Sequence, residues 1–204
     1  MEDLVYLRSP SQLLSIKERT TQLQFSMASE PLVGAMLRTL ASSKPGGRFL
    51  ELGTGTGIAT AWLLEGMDAG STLISVDSDG LVQQVASDSL GADNRLTLVT
   101  SGGLEFLRTQ APESFDFVFA DAMPGKYEAL SDALAVVKVG GFYVIDDMLP
   151  QPNWPAGHAD KVPVLVGQLA AHPGFEVLPL VWASGVVVAV RKHPEAVERY
   201  APAA

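Results

Sequence analysis

Four apolar runs in this 204-residue chain each close on a carboxylate. Glu51 follows "RFL", Asp77 follows "TLISV", Asp121 follows "FDFVFA", and Asp146 with Asp147 follows "GFYVI". Two residues past Glu51 begins "GTGTG", with Gly53, Gly55 and Gly57 on alternate positions. Glycine lets a turn fold tightly and lets a ligand lie against bare backbone. Asp77 stands 20 residues past Gly57, at the end of the next apolar run. Strand, glycine turn, helix, strand and acid together form the pattern in which a carboxylate takes the two hydroxyls of a ribose. The chemistry implied is binding of a ribose-bearing cofactor. Like charges gathered on one rim repel unless a ligand or cation relieves them. The rim is therefore expected to be functional, with charged turns as the plain alternative.

Glu51 narrows the cofactor. Dinucleotide sites usually read G-x-G-x-x-G, with pyrophosphate on the helix N-terminus. Here the spacing differs, and Glu51 would repel a pyrophosphate. The same carboxylate would attract a cofactor that carries an ammonium and a sulfonium. An NAD-dependent oxidoreductase stays open as the alternative.

These residues need a frame. "RFLEL" (48–52), "TLISVD" (72–77), "LTLVT" (96–100), "FDFVFAD" (115–121) and "GFYVIDD" (141–147) read as strands. They are almost continuously apolar, as parallel strands covered on both faces must be. The intervals between them leave room for crossover helices. "FEVLPLVW" and "GVVVAVRK", joined by "ASG", are too close for a crossover and form an antiparallel hairpin. The fold class is α/β: one Rossmann-like, doubly wound sheet of seven strands, mostly parallel, with a reversed C-terminal strand. A single domain is expected, with a helical cover over about 1–45, a core over 46–192 and a tail over 193–204. One helix is expected over about 10–24. A second has Ser29 as its cap and Pro31 in its first turn, and "KPGG" (44–47) ends it. A third runs over 127–138. The loop 148–157 carries three prolines and Trp154, at the carboxyl edge of the fifth strand. Loops of this length are often lids; Trp154 either stacks on a flat substrate or pins the loop.

Bulk composition sets outer limits. Hydrophobic residues make up 47% and charged residues 18%, which suits a globular chain. The net charge of −9 argues against a nucleic-acid partner, which demands a basic face. With no cysteine, disulfides, thiolate catalysis and zinc–thiolate sites are excluded. No stretch approaches the ~18 apolar residues of a membrane span, and "MEDLVYLRSP" lacks the regions of a signal peptide. A cytoplasmic enzyme without a membrane partner is the expectation.

At "LELGTGTG" (50–57) the chain resembles the class I S-adenosylmethionine-dependent methyltransferases. More narrowly, it is similar to the small O-methyltransferases of the catechol and caffeoyl-CoA type. The likeness runs from about Met27 to Lys192 and includes "MASEPLVGAML" (27–37), "FDFVFADAMPGKY" (115–127) and "GGFYVIDD" (140–147). It implies methyl transfer to a hydroxyl of a small phenolic or catechol-like molecule, and a homodimer. It also implies roles for residues. The backbone of Gly53, Thr54, Gly55 and Gly57 would cradle the methionine and ribose, with Glu51 near the methionine end. Asp77 would take the ribose hydroxyls, and Gly102, Gly103 and Leu104 would edge the adenine. Asp121 would lie near the methionine amino group, and Met27 and Ser29 would close the pocket. Met27 reads equally as core, and Ser29 as a cap. A homologue that binds the cofactor without catalysis is a further alternative.

Metal-dependent members of that family hold a magnesium-like cation on acids after the fourth and fifth strands. The matching positions here are Asp121, Asp146 and Asp147, oxygen donors suited to Mg²⁺ or another divalent cation. The alternative is that Asp146 and Asp147 only orient the loop. Two departures stand out: Asp147 replaces an asparagine, and "DAMPG" puts Met123 and Pro124 where the family has D-A-D-K. Lys126, two residues later, either reaches into the site or, as the stronger expectation, stays in solvent. The base that takes the acceptor's proton is a metal-bound hydroxyl, Asp121 or His158. His158 also reads as a plain loop residue.

Overall fold

The computed structural model describes residues 6–199; the chain start and the last five residues, parts of the expected cover and tail, lie outside them. Helices α1 (Leu13–Gln22) and α2 (Pro31–Ala41) precede β1 (Arg48–Leu52). There follow α3 (Ile58–Gly66), β2 (Thr72–Asp77), α4 (Gly80–Leu90), β3 (Leu96–Thr100), α5 (Gly103–Arg108) and β4 (Phe115–Ala120). The chain continues through a short irregular turn α6 (Met123–Lys126), α7 (Leu130–Ala135), β5 (Val137–Ile145), α8 (Lys161–Ala170), β6 (Phe175–Leu180), β7 (Val186–Arg191) and α9 (Pro194–Arg199).

All seven strands form one sheet in the order β3-β2-β1-β4-β5-β7-β6. The β1, β2, β3, β4 and β5 pairings are parallel, while β7 runs antiparallel to both β5 and β6. The expected reversed strand is therefore β7. Strand order turns back between β1 and β4, which creates a crevice beyond their carboxyl ends.

Residues along each strand alternate between two cores, as the pleat demands. Phe49, Phe117, Phe119 and Val144 join α1, α2, α3 and α4 on one face. Leu50, Val118, Ala120 and Tyr143 join α5, α7 and α8 on the other. Ile58 through Leu64 of α3 are all buried, because α3 packs in one core with α2 and the sheet residues Phe49 and Phe117. Gly34 makes that approach feasible: a Cβ there would stand 2.3 Å from the Trp62 ring.

Three expectations need correction. Ser29 does not cap α2; Glu30 holds the N-cap position and makes no side-chain capping bond. The helix over 127–138 shrinks to α7, because Ala129 takes a left-handed conformation (φ 54°) and β5 already begins at Val137, opposite Phe115. Valines 136 and 137 are β-branched and suit a strand better than a helix end. The acids do not all close their strands either. Asp121, Asp146 and Asp147 follow the last paired residues, and Glu51 lies inside β1.

Candidate active site

At the switch point the glycine turn is shaped by left-handed backbone. Gly53 has φ 101°, and a Cβ on it would stand 2.6 Å from the carbonyl oxygen of Asp121. The ends of β1 and β4 thus meet at a spacing only glycine permits. Asp77 latches the turn. Its Oδ2 accepts the Gly55 N–H at 2.7 Å and its Oδ1 accepts the Asp79 N–H at 2.9 Å. Each carboxylate oxygen can accept a second bond, so Asp77 keeps capacity for hydroxyls.

A crevice of about 290 Å³ opens there. Met27, Ser29, Gly53, Thr54, Gly55, Asp77 and Asp121 line it, together with Phe25, Thr56, Ile58, Ser78, Asp79, Val82 and Ala122. The first seven were expected from sequence. Phe25 was missed because no local signal marks a residue between two helices as a wall. Asp79 was missed because its role as the α4 cap, accepting from the N–H groups of Leu81 and Val82, is defined only once α4 is placed.

Other expected residues lie elsewhere. Gly57 is the left-handed cap of α3 (φ 90°), and a Cβ there would stand 2.7 Å from that of Ala86, so it serves helix packing. Gly103 lines an adjoining notch of about 70 Å³ that shares Gly53, Asp77, Ser78 and Ala122 with the crevice. Gly102 and Leu104 are absent from the crevice lining. Gly34, inside the methionine-and-glycine segment, packs on Trp62 rather than on the crevice.

Glu51 sits beneath the turn with no exposed surface. Its Oε2 accepts from the hydroxyls of Thr60 and Ser75, whereas Oε1 has no partner. Burial pushes its pKa up to about 8, the two hydroxyls pull it back, and the charges of Asp121 and Asp77 add to the rise. Ser75 and Thr54 share a 2.6 Å hydrogen bond, and Gln83 ties Thr54 to Thr100. The turn therefore rests on a polar network.

On the far lip, Asp121 accepts from the Ser29 hydroxyl at 3.2 Å through Oδ2 and from the Lys126 ammonium at 2.9 Å through Oδ1. Lys126 is 6% exposed, not solvated as expected. Asp146, 1% exposed, accepts from the Ser184 hydroxyl and the Asp147 N–H. Its carboxyl is held well above the usual range by burial, then by Asp121. Asp147 has φ 59° and lines a second opening, of about 270 Å³, with Met27, Ala28, Glu30 and Asn153. His158 directly follows the loop 148–157, its ring 4.4 Å from the Trp154 ring and 5.0 Å from the Tyr127 ring between centroids.

Residues 50–148 match a family model described as a methyltransferase domain. Over that stretch, just under half of the chain, the sequence is similar to methyltransferase domains. A Mycobacterium leprae protein provisionally named an O-methyltransferase is 34% identical over 116 residues, 55% of this chain and 51% of that protein. The matched stretch thus spans about half the length of such curated relatives. Among solved structures, the O-methyltransferase TomG from Streptomyces achromogenes, involved in tomaymycin synthesis and bound to SAM, superposes with a TM-score of 0.77 at 20% identity, covering 93% of each chain. An O-methyltransferase from Bacillus cereus in complex with SAH gives 0.79 at 20% identity, covering 92% of this chain and 94% of the other. At that identity the likeness is one of fold.

The chain departs from the expected metal set. Among the described residues no group of three or more His, Cys, Asp or Glu is placed to hold a metal ion. The physical reason is visible at Asp121, where an ammonium already occupies one carboxylate oxygen, while Asp146 Oδ1 accepts from both the Ser184 hydroxyl and the Asp147 N–H. These residues do not fit a divalent cation as they stand. Trp154 packs on His158 within the loop, which favours the pinning role over stacking on a substrate. Among the described residues no helix is long and apolar enough to cross a membrane.

Proposed function

We propose that this chain is an S-adenosylmethionine-dependent O-methyltransferase acting on a small phenolic or catechol-like acceptor. The observation that carries the reading is the crevice in which a bare glycine turn, latched to Asp77, faces Asp121. The residues fit that cofactor. Asp77 has lone pairs for ribose hydroxyls, Asp121 offers a carboxylate to an ammonium, and Glu51 Oε1 is a buried polar atom beneath the turn with no partner of its own. The bound cofactor would supply a methyl group on a sulfonium, already an activated leaving group.

The protein's task is then to bind, align and exclude water. Met27 and Ser29 form the wall opposite the glycine turn. His158 is the better base of the two candidates. Burial, then the Lys126 and Lys161 charges, hold its pKa below the ordinary histidine value, so it is neutral near pH 7 and can accept a proton. Both oxygens of Asp121 are already engaged, which suits it to positioning. The names of the curated relatives support oxygen as the methylated atom. A cytoplasmic homodimer is part of the same reading.

Titration calorimetry with S-adenosylhomocysteine against NAD tests the cofactor. Binding of the first and not the second is expected; the reverse would mean an oxidoreductase. Turnover of vicinal diphenols tests the acceptor class, and binding without turnover would mean a non-catalytic homologue. H158A is expected to lower kcat by about 10²-fold and to leave S-adenosylhomocysteine affinity unchanged.

A further inference from the structure

We propose that Lys126 is the resident cation of this site, taking the place that a divalent metal holds in the metal-dependent enzymes the sequence resembles. The inference rests on the methyltransferase reading above.

The backbone delivers this side chain by an unusual route. Pro124 is extended (ψ 132°) and Gly125 is left-handed (φ 91°), so the chain reverses before Lys126. The reversal is fixed from both sides: the Gly125 N–H donates to the Glu128 carbonyl at 2.7 Å, and the Tyr143 hydroxyl donates to the Gly125 carbonyl. A Cβ on Gly125 would stand 2.8 Å from Leu52 Cδ1, so the turn is seated directly on the end of β1. The outcome is an ammonium pinned 2.9 Å from Asp121 Oδ1, with only 7% of the lysine side chain and 11% of the aspartate side chain exposed.

A buried ammonium persists only where charges repay its lost hydration. Here the repayment is the ion pair with Asp121, at 2.9 Å and almost wholly covered, with Asp146 and Asp147 the other two acids of the expected metal set. These are the three carboxylates that the resemblance assigns to a metal. A divalent ion entering among them would meet a fixed positive charge in a poorly solvated place. An ammonium also has three N–H donors, of which Asp121 takes one. The others can hold an acceptor oxygen as it becomes an oxyanion, the electrostatic service a metal would give.

Calorimetric titration of the full chain with MgCl2, and separately with MnCl2, in the presence of S-adenosylhomocysteine tests the proposal. No binding to the wild-type protein is expected at millimolar metal, and any vicinal-diphenol methylation should change less than about twofold on adding EDTA. K126M, which keeps the apolar stem, is expected to lose about 10²-fold in kcat and to acquire divalent-metal binding, with Mg²⁺ restoring part of the rate. Metal binding by the wild type, loss of its activity in EDTA, or a K126M variant as active as wild type would each overturn the proposal. If K126M does not fold, the wild-type titration alone separates a lysine-filled site from a metal site. Failure of S-adenosylhomocysteine itself to bind would instead count against the methyltransferase reading.

Discussion

Asp77 spends one bond on holding Gly55 and keeps further lone pairs for a ligand, so removing it should harm the site twice. D77A is expected to weaken S-adenosylhomocysteine binding by about 10–100-fold, the range for a hydrogen bond to a charged group, as calorimetry would show. Glu51 behaves differently. Its carboxyl rises from 4.5 to about 8 on folding, chiefly through burial. The folded chain therefore holds this proton more tightly than the unfolded one. The associated stability is complete below about pH 4.5 and is lost as pH climbs towards 8. It amounts to about 5 kcal/mol. E51Q, neutral throughout, should show a melting temperature much flatter between pH 5 and 8 than the wild type, and an equally steep curve would refute the assignment. Both acids were legible in sequence because each follows an apolar run. Their differing roles were not, since Glu51 is covered by Thr60 and Ser75 from neighbouring elements. Lys126 was misread for a similar reason: no linear spacing reveals that a left-handed glycine turns it inward.

Elements with a strong local pattern were the easiest to read. The five parallel strands declared themselves as short runs of Phe, Leu, Val and Ile, and the C-terminal hairpin by its short join. Residues 127–138 misled because their apolar spacing is helical, whereas β5 gains more by pairing Val137 with Phe115. Helix packing was also hidden. Gly34 looks like part of a ligand pocket, but it is the notch that receives Trp62. G34A should therefore destabilise the fold by about 1–3 kcal/mol through overpacking and lower the melting temperature, while leaving cofactor affinity per folded molecule unchanged. A drop in affinity at constant stability would return Gly34 to the site.

For the whole molecule, a ligand bound only by the folded state raises stability by mass action. S-adenosylhomocysteine at about a hundredfold excess over its Kd should add about 2.7 kcal/mol, visible as a thermal shift that NAD at the same concentration does not give. The crevice also joins parts of the chain that the sheet itself does not join. One wall is the link between α1 and α2, from Phe25 to Ser29, and the other is the glycine turn of β1. The link is stitched to the loop 148–157 by the Asn153 amide, which donates to the Ser26 carbonyl at 3.0 Å. An occupant would act as mortar between two bricks laid separately. Amide hydrogen exchange across residues 25–29 should slow when it is seated, and cutting the stitch with N153A should let it escape faster while the sheet beneath stays quiet.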